Sequence, residues 1–292
     1  MKSFTKSLLA SAILAAGFTG FSTAHAAEWS LGGEIGVELT DADASNDLGI
    51  SVTTTDLVLT VTEKFDDITV EGYLAYEKGG TVGDSELATD GRGISVSGGF
   101  GSVFVGDDGT GVFAGDITDV LYNNSEIFFA DPTTNVIDYG LPLDGPFSLN
   151  IFVDMTAGDA EDMDAVGFYG SYAMGAFNFL LGYTTIEEAG AYAATTGDIL
   201  DLAVGYEDGP IAAGFGYQDQ DTAADEIISL FLTYTTGAIA ITPYMEDAGT
   251  AGDVTAINVT YTLSDNYYMF VETASYDNKV NDNTSFGMVL TF

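Results

Sequence analysis

The stretch Phe100-Gly101-Ser102-Val103-Phe104-Val105-Gly106-Asp107 alternates like a β-strand and stops abruptly at Asp107. No strand period follows from Asp108 to Pro132. That segment carries Asp108, Asp116, Asp119, Glu126 and Asp131 beside Val112, Phe113, Val120, Leu121, Phe128 and Phe129. Alternation resumes at Thr134-Asn135-Val136-Ile137-Asp138-Tyr139. A structureless insertion this long inside a regular β protein is usually functional or disordered. This one is too rich in apolar side chains for a disordered segment. It reads as a loop, 107–133, that folds back inside a closed barrel and narrows it.

Outward from that loop, period-2 alternation dominates. Trp29, Leu31, Ile35, Val37 and Leu39 share one parity, and Ser30, Glu34 and Glu38 share the other. The same split recurs in Leu200, Leu202, Val204 and Tyr206 against Asp201 and Glu207. It recurs again in Phe147, Leu149, Ile151 and Val153 against Ser148, Asn150 and Asp154. The pattern predicts sixteen strands, near 29–39, 50–64, 68–78, 92–98, 100–106, 134–141, 147–156, 165–174, 176–186, 199–207, 210–218, 226–235, 238–246, 254–263, 267–276 and 284–292. The connections alternate in length. Short ones such as Phe65-Asp66-Asp67, Asp208-Gly209 and Gly237 alternate with long acidic ones such as 79–91, 157–164 and 187–198. Short turns on one rim and long loops on the other are the layout of an outer-membrane barrel.

Bulk composition agrees. Residues 1–26 have a charged start at Lys2 and Lys6, a short apolar core over 8–16, and the small-x-small site Ala24-His25-Ala26. That is the form of an export signal, too short to span a bilayer, and it places the mature barrel domain at 27–292. The formal charge of −39 becomes −41 once Lys2 and Lys6 are removed. Such a surface repels nucleic acid and concentrates cations. With 46% hydrophobic residues the chain is not composed like a disordered one. An exported, apolar chain without a spanning helix has one membrane solution, a closed β-barrel. The expected fold class is therefore all-β, a transmembrane antiparallel barrel of sixteen strands with a long third external loop folded into the pore. Aromatic residues gather near strand ends. Phe65, Phe147, Phe177, Tyr267 and Tyr268 lie towards the turns, and Tyr76, Tyr139, Tyr183, Tyr217, Tyr244 and Tyr276 towards the loops. Two interfacial girdles would be placed so. Two features fit less well. A register change near Thr53–Thr55 implies a bulge, and Pro243 sits inside a strand where it cannot donate to the ladder.

Several motifs resemble the general porins of Gram-negative outer membranes. Phe100-Gly-Ser-Val-Phe-Val-Gly106 resembles the strand that leads into their constriction loop. Asn135-Val136-Ile137-Asp138-Tyr139 followed by Gly145-Pro146-Phe147-Ser148 resembles the strand and turn after it. Ser285-Phe286-Gly287-Met288-Val289-Leu290-Thr291-Phe292 resembles their last strand, whose terminal Phe is the signal read by the barrel-assembly machinery. Phe292, Leu290 and Met288 are the assembly-signal candidates. The resemblance implies a homotrimer in the bacterial outer membrane with the third loop inside the pore. It also implies wall arginines facing loop carboxylates. Here the position after Val105-Gly106 holds Asp107, and the wall offers Glu34, Glu38 and Glu71. Arg92 is the basic residue nearest the eyelet, although it shares parity with Ile94 and Val96.

The candidate pore-lining set is Asp107, Asp108, Asp116, Asp119 and Glu126 on the loop, and Glu34, Glu38, Glu71, Asp138, Asp154, Asp201, Glu207 and Arg92 on the wall. Rings of carboxylates select cations. Enzymatic roles find little footing. There is no Cys, and the only His leaves with the export signal, so Ser-His, Asp-His and Cys-His arrangements are impossible. No cofactor is expected beyond loosely bound calcium at acidic loops. Asp41, Asp43, Ser45 and Asp47 have the oxygen-ligand spacing of a calcium loop but lack its Gly and terminal Glu. Two function classes stay open. One is a passive, cation-favouring diffusion channel for small hydrophilic solutes. The other is a poorly conducting barrel whose loops serve adhesion, phage attachment or surface coating. The acidity itself also suits a salty habitat.

Overall fold

A computed structural model describes residues 27–42, 48–52, 55–77, 80–81, 88–107, 117–118, 120–121, 136–155, 165–186, 197–221, 226–249, 252–277 and 282–292. The strand segments are β1 (Glu28–Ala42), β2 (Leu48–Val52), β3 (Thr55–Phe65), β4 (Ile68–Glu77), β5 (Gly80–Thr81), β6 (Ala88–Gly98), β7 (Gly101–Gly106), β8 (Val136–Gly140), β9 (Phe147–Asp154), β10 (Ala165–Met174), β11 (Phe177–Ile186), β12 (Gly197–Asp208), β13 (Ile211–Gln220), β14 (Ile227–Thr236), β15 (Ile239–Asp247), β16 (Asp253–Ser264), β17 (Tyr267–Tyr276) and β18 (Asn283–Thr291). β2 and β3 prolong each other along β1, and β5 is a two-residue addition, so the segments make sixteen spanning strands. All belong to one antiparallel sheet. β1 pairs with β3 on one side and β18 on the other, which closes the barrel. Closure matters because hydrocarbon cannot satisfy an open strand edge. Phe292 completes the seam, since the Gly33 N–H donates to its carbonyl at 3.1 Å and its N–H donates to Gly33 O at 3.0 Å.

The short rim is built mainly from two-residue turns, with a longer connection, 141–146, between β8 and β9. Gly175, Gly209 and Gly237 have φ of 61°, 58° and 60° at the first turn position, a conformation glycine reaches without Cβ strain. The register along β1 slips by one residue between β2 and β3: Glu38 faces Ser51, whereas Glu34 faces Asp56. A bulge in the connection produces such a slip, although Thr53 and Thr54 themselves lie outside the described residues. Pro243 also finds its place. The β14–β15 ladder is continuous from Ile228 to Phe231 and from Tyr234 to Thr236, and skips the two residues between. Pro243 falls in that gap while still pairing with Ile257 of β16. Thr233 and Thr242 bridge the same gap through their hydroxyls at 2.8 Å. The lost backbone donor is offset by a side-chain bond.

Candidate functional site

The two faces of the sheet have opposite chemistry. On β12, Leu202 is 39% exposed while its neighbour Asp201 is 0% exposed. On β18, Phe286, Met288 and Leu290 are exposed and Ser285 is buried. A soluble protein buries the apolar set; this one presents it outward, as a lipid-facing wall must. Near the short-turn rim the outward face carries a run of rings. Phe147 stacks on Tyr172 at 4.4 Å between ring centres, and Phe177 meets Phe179 at 6.1 Å and Tyr206 at 4.9 Å. The expected girdle loses two members on the other rim. Tyr244 and Tyr276 are buried on the inward face, because each shares parity with a glutamate, Glu246 and Glu272.

The inward face holds the carboxylates. Asp138 accepts from Asn150 Nδ2 at 2.5 Å and from Tyr169 Oη at 2.8 Å. Asp201 accepts from Gln218 Nε2 at 2.8 Å, and Gln220 in turn donates to Gln218. Glu38 accepts from Ser285 at 2.9 Å, Glu71 from Thr62 at 3.1 Å, and Glu272 from Asn258 at 3.1 Å. Tyr244 donates to Glu246 at 2.5 Å. These donors are neutral, so they orient the carboxylates without cancelling their charge. Asp154 sits buried at the loop end of β9 and half-buried Glu34 on β1. Glu207 is exposed near the turn end of β12. The register joins all of these into one face: Glu71 pairs with Ser95, Ser95 with Phe104, Phe104 with Asp138, and Gly182 with Asp201. Glu246 and Glu272 belong to the same face and were missed in the sequence. Their signal was there, in that Phe270 and Glu272 share parity against Met269 and Val271. Also unforeseen is an inward apolar cluster of Phe104, Val136, Phe152 and Tyr169, with Tyr73 stacked on Phe104 at 6.0 Å.

Four described residues of the long loop lie against this inner wall. Ile117 packs on Leu180 and Ala203. Val120 and Leu121 pack with Phe231, Tyr244, Ala212 and Ala256. Ser229 Oγ donates to Thr118 Oγ1 at 2.8 Å, and both residues are fully buried. The wall partners span β11 to β16, so the segment runs across the barrel interior rather than along one strand. Burying a side chain such as Leu121 contributes about 1.5–3 kcal/mol. One neutral hydrogen bond contributes about 0.5–1.5 kcal/mol. Apolar packing therefore holds the loop, and the Thr118–Ser229 bond fixes its register. Asp108, Asp116, Asp119 and Glu126 lie outside the described residues, as do residues 1–26 and Asp43, Ser45 and Asp47 of the calcium candidate. Asp41 is exposed near the end of β1.

Arg92 and Asp107 leave the pore-lining set. Arg92 pairs with Leu74 on the outward side of β4, and its Nε lies 2.7 Å from Asp107 Oδ2. The Arg92 N–H also donates to Asp107 Oδ1 at 2.7 Å. Gly106 faces Gly93 and Val136 across the ladder on the inward parity, so its successor Asp107 turns outward. The pair rims a groove of about 660 Å³ on the outer face, lined by Leu59, Val61, Leu74, Ile94, Val105 and Ile137. Of the other basic residues after position 27, Lys64 sits at the short-turn rim on the inward parity of β3, opposite Thr69, and Lys78 and Lys279 lie outside the described residues. Apart from Lys64 at that rim, the charged positions of the described inward face are acidic.

Comparison with known proteins agrees with this architecture. The model of Gram-negative porins matches residues 10–291. A double mutant of the Rhodopseudomonas blastica porin superposes with a TM-score of 0.74 at 16% identity, covering 91% of this chain and 100% of that one. A triple mutant of the same porin gives 0.73 at 18% identity over the same shares. An engineered protein described for its asymmetric conductivity gives 0.73 at 16% identity, again over the same shares. Among curated proteins no sequence matches the chain. At these identities the solved structures establish the fold, and the family rests on the match across almost the whole chain. A sealed sixteen-strand barrel, apolar outside and carboxylate-lined inside, thus belongs to the Gram-negative porin family of the bacterial outer membrane.

Proposed function

We propose that the chain forms a water-filled channel for passive diffusion of small hydrophilic solutes, that it favours cations, and that the loop 107–133 narrows the pore. The observation that carries this reading is the inward face: Glu38, Asp138, Asp154, Asp201, Glu246 and Glu272 all point from the wall with Glu34, Glu71 and Glu207, while Arg92 points away. Low-dielectric walls focus the field of such an array, and carboxylate rings select cations. The packing of Ile117 and Leu121 on inward-facing residues supports the narrowing. The asymmetric conductivity described for an engineered protein of the same fold supports conduction. A homotrimer, the assembly that the family resemblance implies, belongs to this reading. So does export through residues 1–26.

The test is a planar-bilayer recording on the purified protein. Stepwise openings with a linear current–voltage relation are expected. A bilayer that stays silent in the presence of folded barrel would overturn the channel and leave a surface-coating or adhesive barrel in its place.

A further inference from the structure

Gly214 of β13 stands directly opposite Phe231 of β14, and both are buried on the inward face. A Cβ added to Gly214 would lie 2.9 Å from Phe231 Cδ1 and 3.0 Å from Cζ, with Cε1 nearer still. Gly214 is not among the glycines of positive φ, so backbone conformation does not call for glycine there. Space does: the missing Cβ lets the ring lie flat against the wall. Leu121 of the loop packs in the same buried cluster as that ring, together with Tyr244 of β15. Gly214 thus backs a ring that belongs to the loop's seat on the wall. A parallel seat lies beneath Ile117, which packs on Ala203 and whose Cγ2 would be 3.6 Å from a Cβ on Gly205. Phe152 over Gly167 and Phe270 over Gly287 repeat the glycine–ring contact, but no described loop residue packs on either ring.

We infer that Gly214 sets the bore of the channel: it seats the long loop against the β12–β16 wall through Phe231 and Leu121, and so fixes the size limit for solutes. This rests on the diffusion-channel reading. A methyl group at position 214 drives the ring inward, because the β13 and β14 backbones are locked by their ladder and cannot yield. The ring then pushes Leu121 and the loop into the open part of the lumen. Gly214, Phe231 and Leu121 are themselves uncharged, so the effect of the substitution is read through size exclusion.

The experiment compares wild type, Gly214→Ala and the double variant Gly214→Ala/Leu121→Ala in planar bilayers and in liposome swelling with uncharged sugars of graded size. Gly214→Ala is expected to lower conductance about two-fold and to slow the larger sugars most, since permeation follows pore diameter. Leu121→Ala in that background is expected to restore both, because it opens the space the displaced ring needs. A conducting wild type with an unchanged Gly214→Ala variant overturns the inference alone, as does a reduced conductance that Leu121→Ala fails to restore. A non-conducting wild type overturns the channel reading, and the inference with it. Should Gly214→Ala not assemble, Gly205→Val pushes Ile117 directly. A loss of conductance there supports the seat, and an unchanged one overturns it.

Discussion

Removing residues 108–132 and joining Asp107 to Thr133 through a short Gly-Ser linker is expected to raise single-channel conductance about two- to threefold, because pore diameter governs flux. The expectation comes from contacts rather than from loop length. Ile117, Thr118, Val120 and Leu121 all touch residues that face the interior. Their removal vacates the space above Leu180, Ala203 and Phe231. The barrel itself should survive, since β7 and β8 pair directly through Ser102–Gly140 to Gly106–Val136 without help from the loop. Heat-modifiable migration of the variant checks that survival independently. Conductance equal to wild type in a folded variant would place the loop's bulk outside the path of ions.

The second large effect concerns Phe292. Deleting it is expected to lower the amount of folded protein in the outer membrane by about tenfold or more, since each backbone group left unpaired at bilayer depth costs several kcal/mol. Phe292 exchanges two backbone hydrogen bonds with Gly33 at the seam where β1 meets β18. The side chain continues the outward apolar row of Phe286, Met288 and Leu290. Deletion thus removes the terminal aromatic and opens the last part of the seam together. Replacing Phe292 by Ala separates the two, since the backbone bonds persist while the ring is lost. Wild-type levels of barrel in the deletion variant would show that the seam closes without its last residue.

The strands were legible in the sequence because their signal is local. Alternation over ten residues and a Gly, Asp or Asn at each tight turn need no knowledge of the partner strand, and the segments fall close to where the period places them. Facing was legible for the same reason, as for Asp201 against Leu202. What escaped depends on two strands at once. Asp107 reads as a loop carboxylate until the β6–β7 register sets it beside Arg92. Arg92 itself had the parity of Ile94, and its outward position follows from that parity rather than from its charge. Tyr244 and Tyr276 look like girdle residues in sequence, and only their partnership with inward glutamates on the same strands reveals the difference. Pro243 was opaque because its compensation, the Thr233–Thr242 bridge, needs a partner from the neighbouring strand β14. The inward rings of Phe104, Phe152, Phe231 and Phe270 were opaque because each depends on a glycine one strand away.

The central claim is that inward carboxylates make the interior a cation-favouring path. The most direct measurement is the reversal potential across a potassium chloride gradient, repeated at several ionic strengths. Among the described residues, the inward face from Glu34 and Glu38 through Asp138 and Asp201 to Glu272 carries by register one basic residue, Lys64 at the short-turn rim. Cations are therefore expected to permeate more readily than anions at low salt. The preference should decline as the screening length shortens through about 8–10 Å near physiological salt. Glu34→Gln with Glu71→Gln should reduce it further without changing the bore. A cation-over-anion permeability ratio above one that falls with salt is the expected result, and an anion-selective reversal potential at low salt would contradict the account.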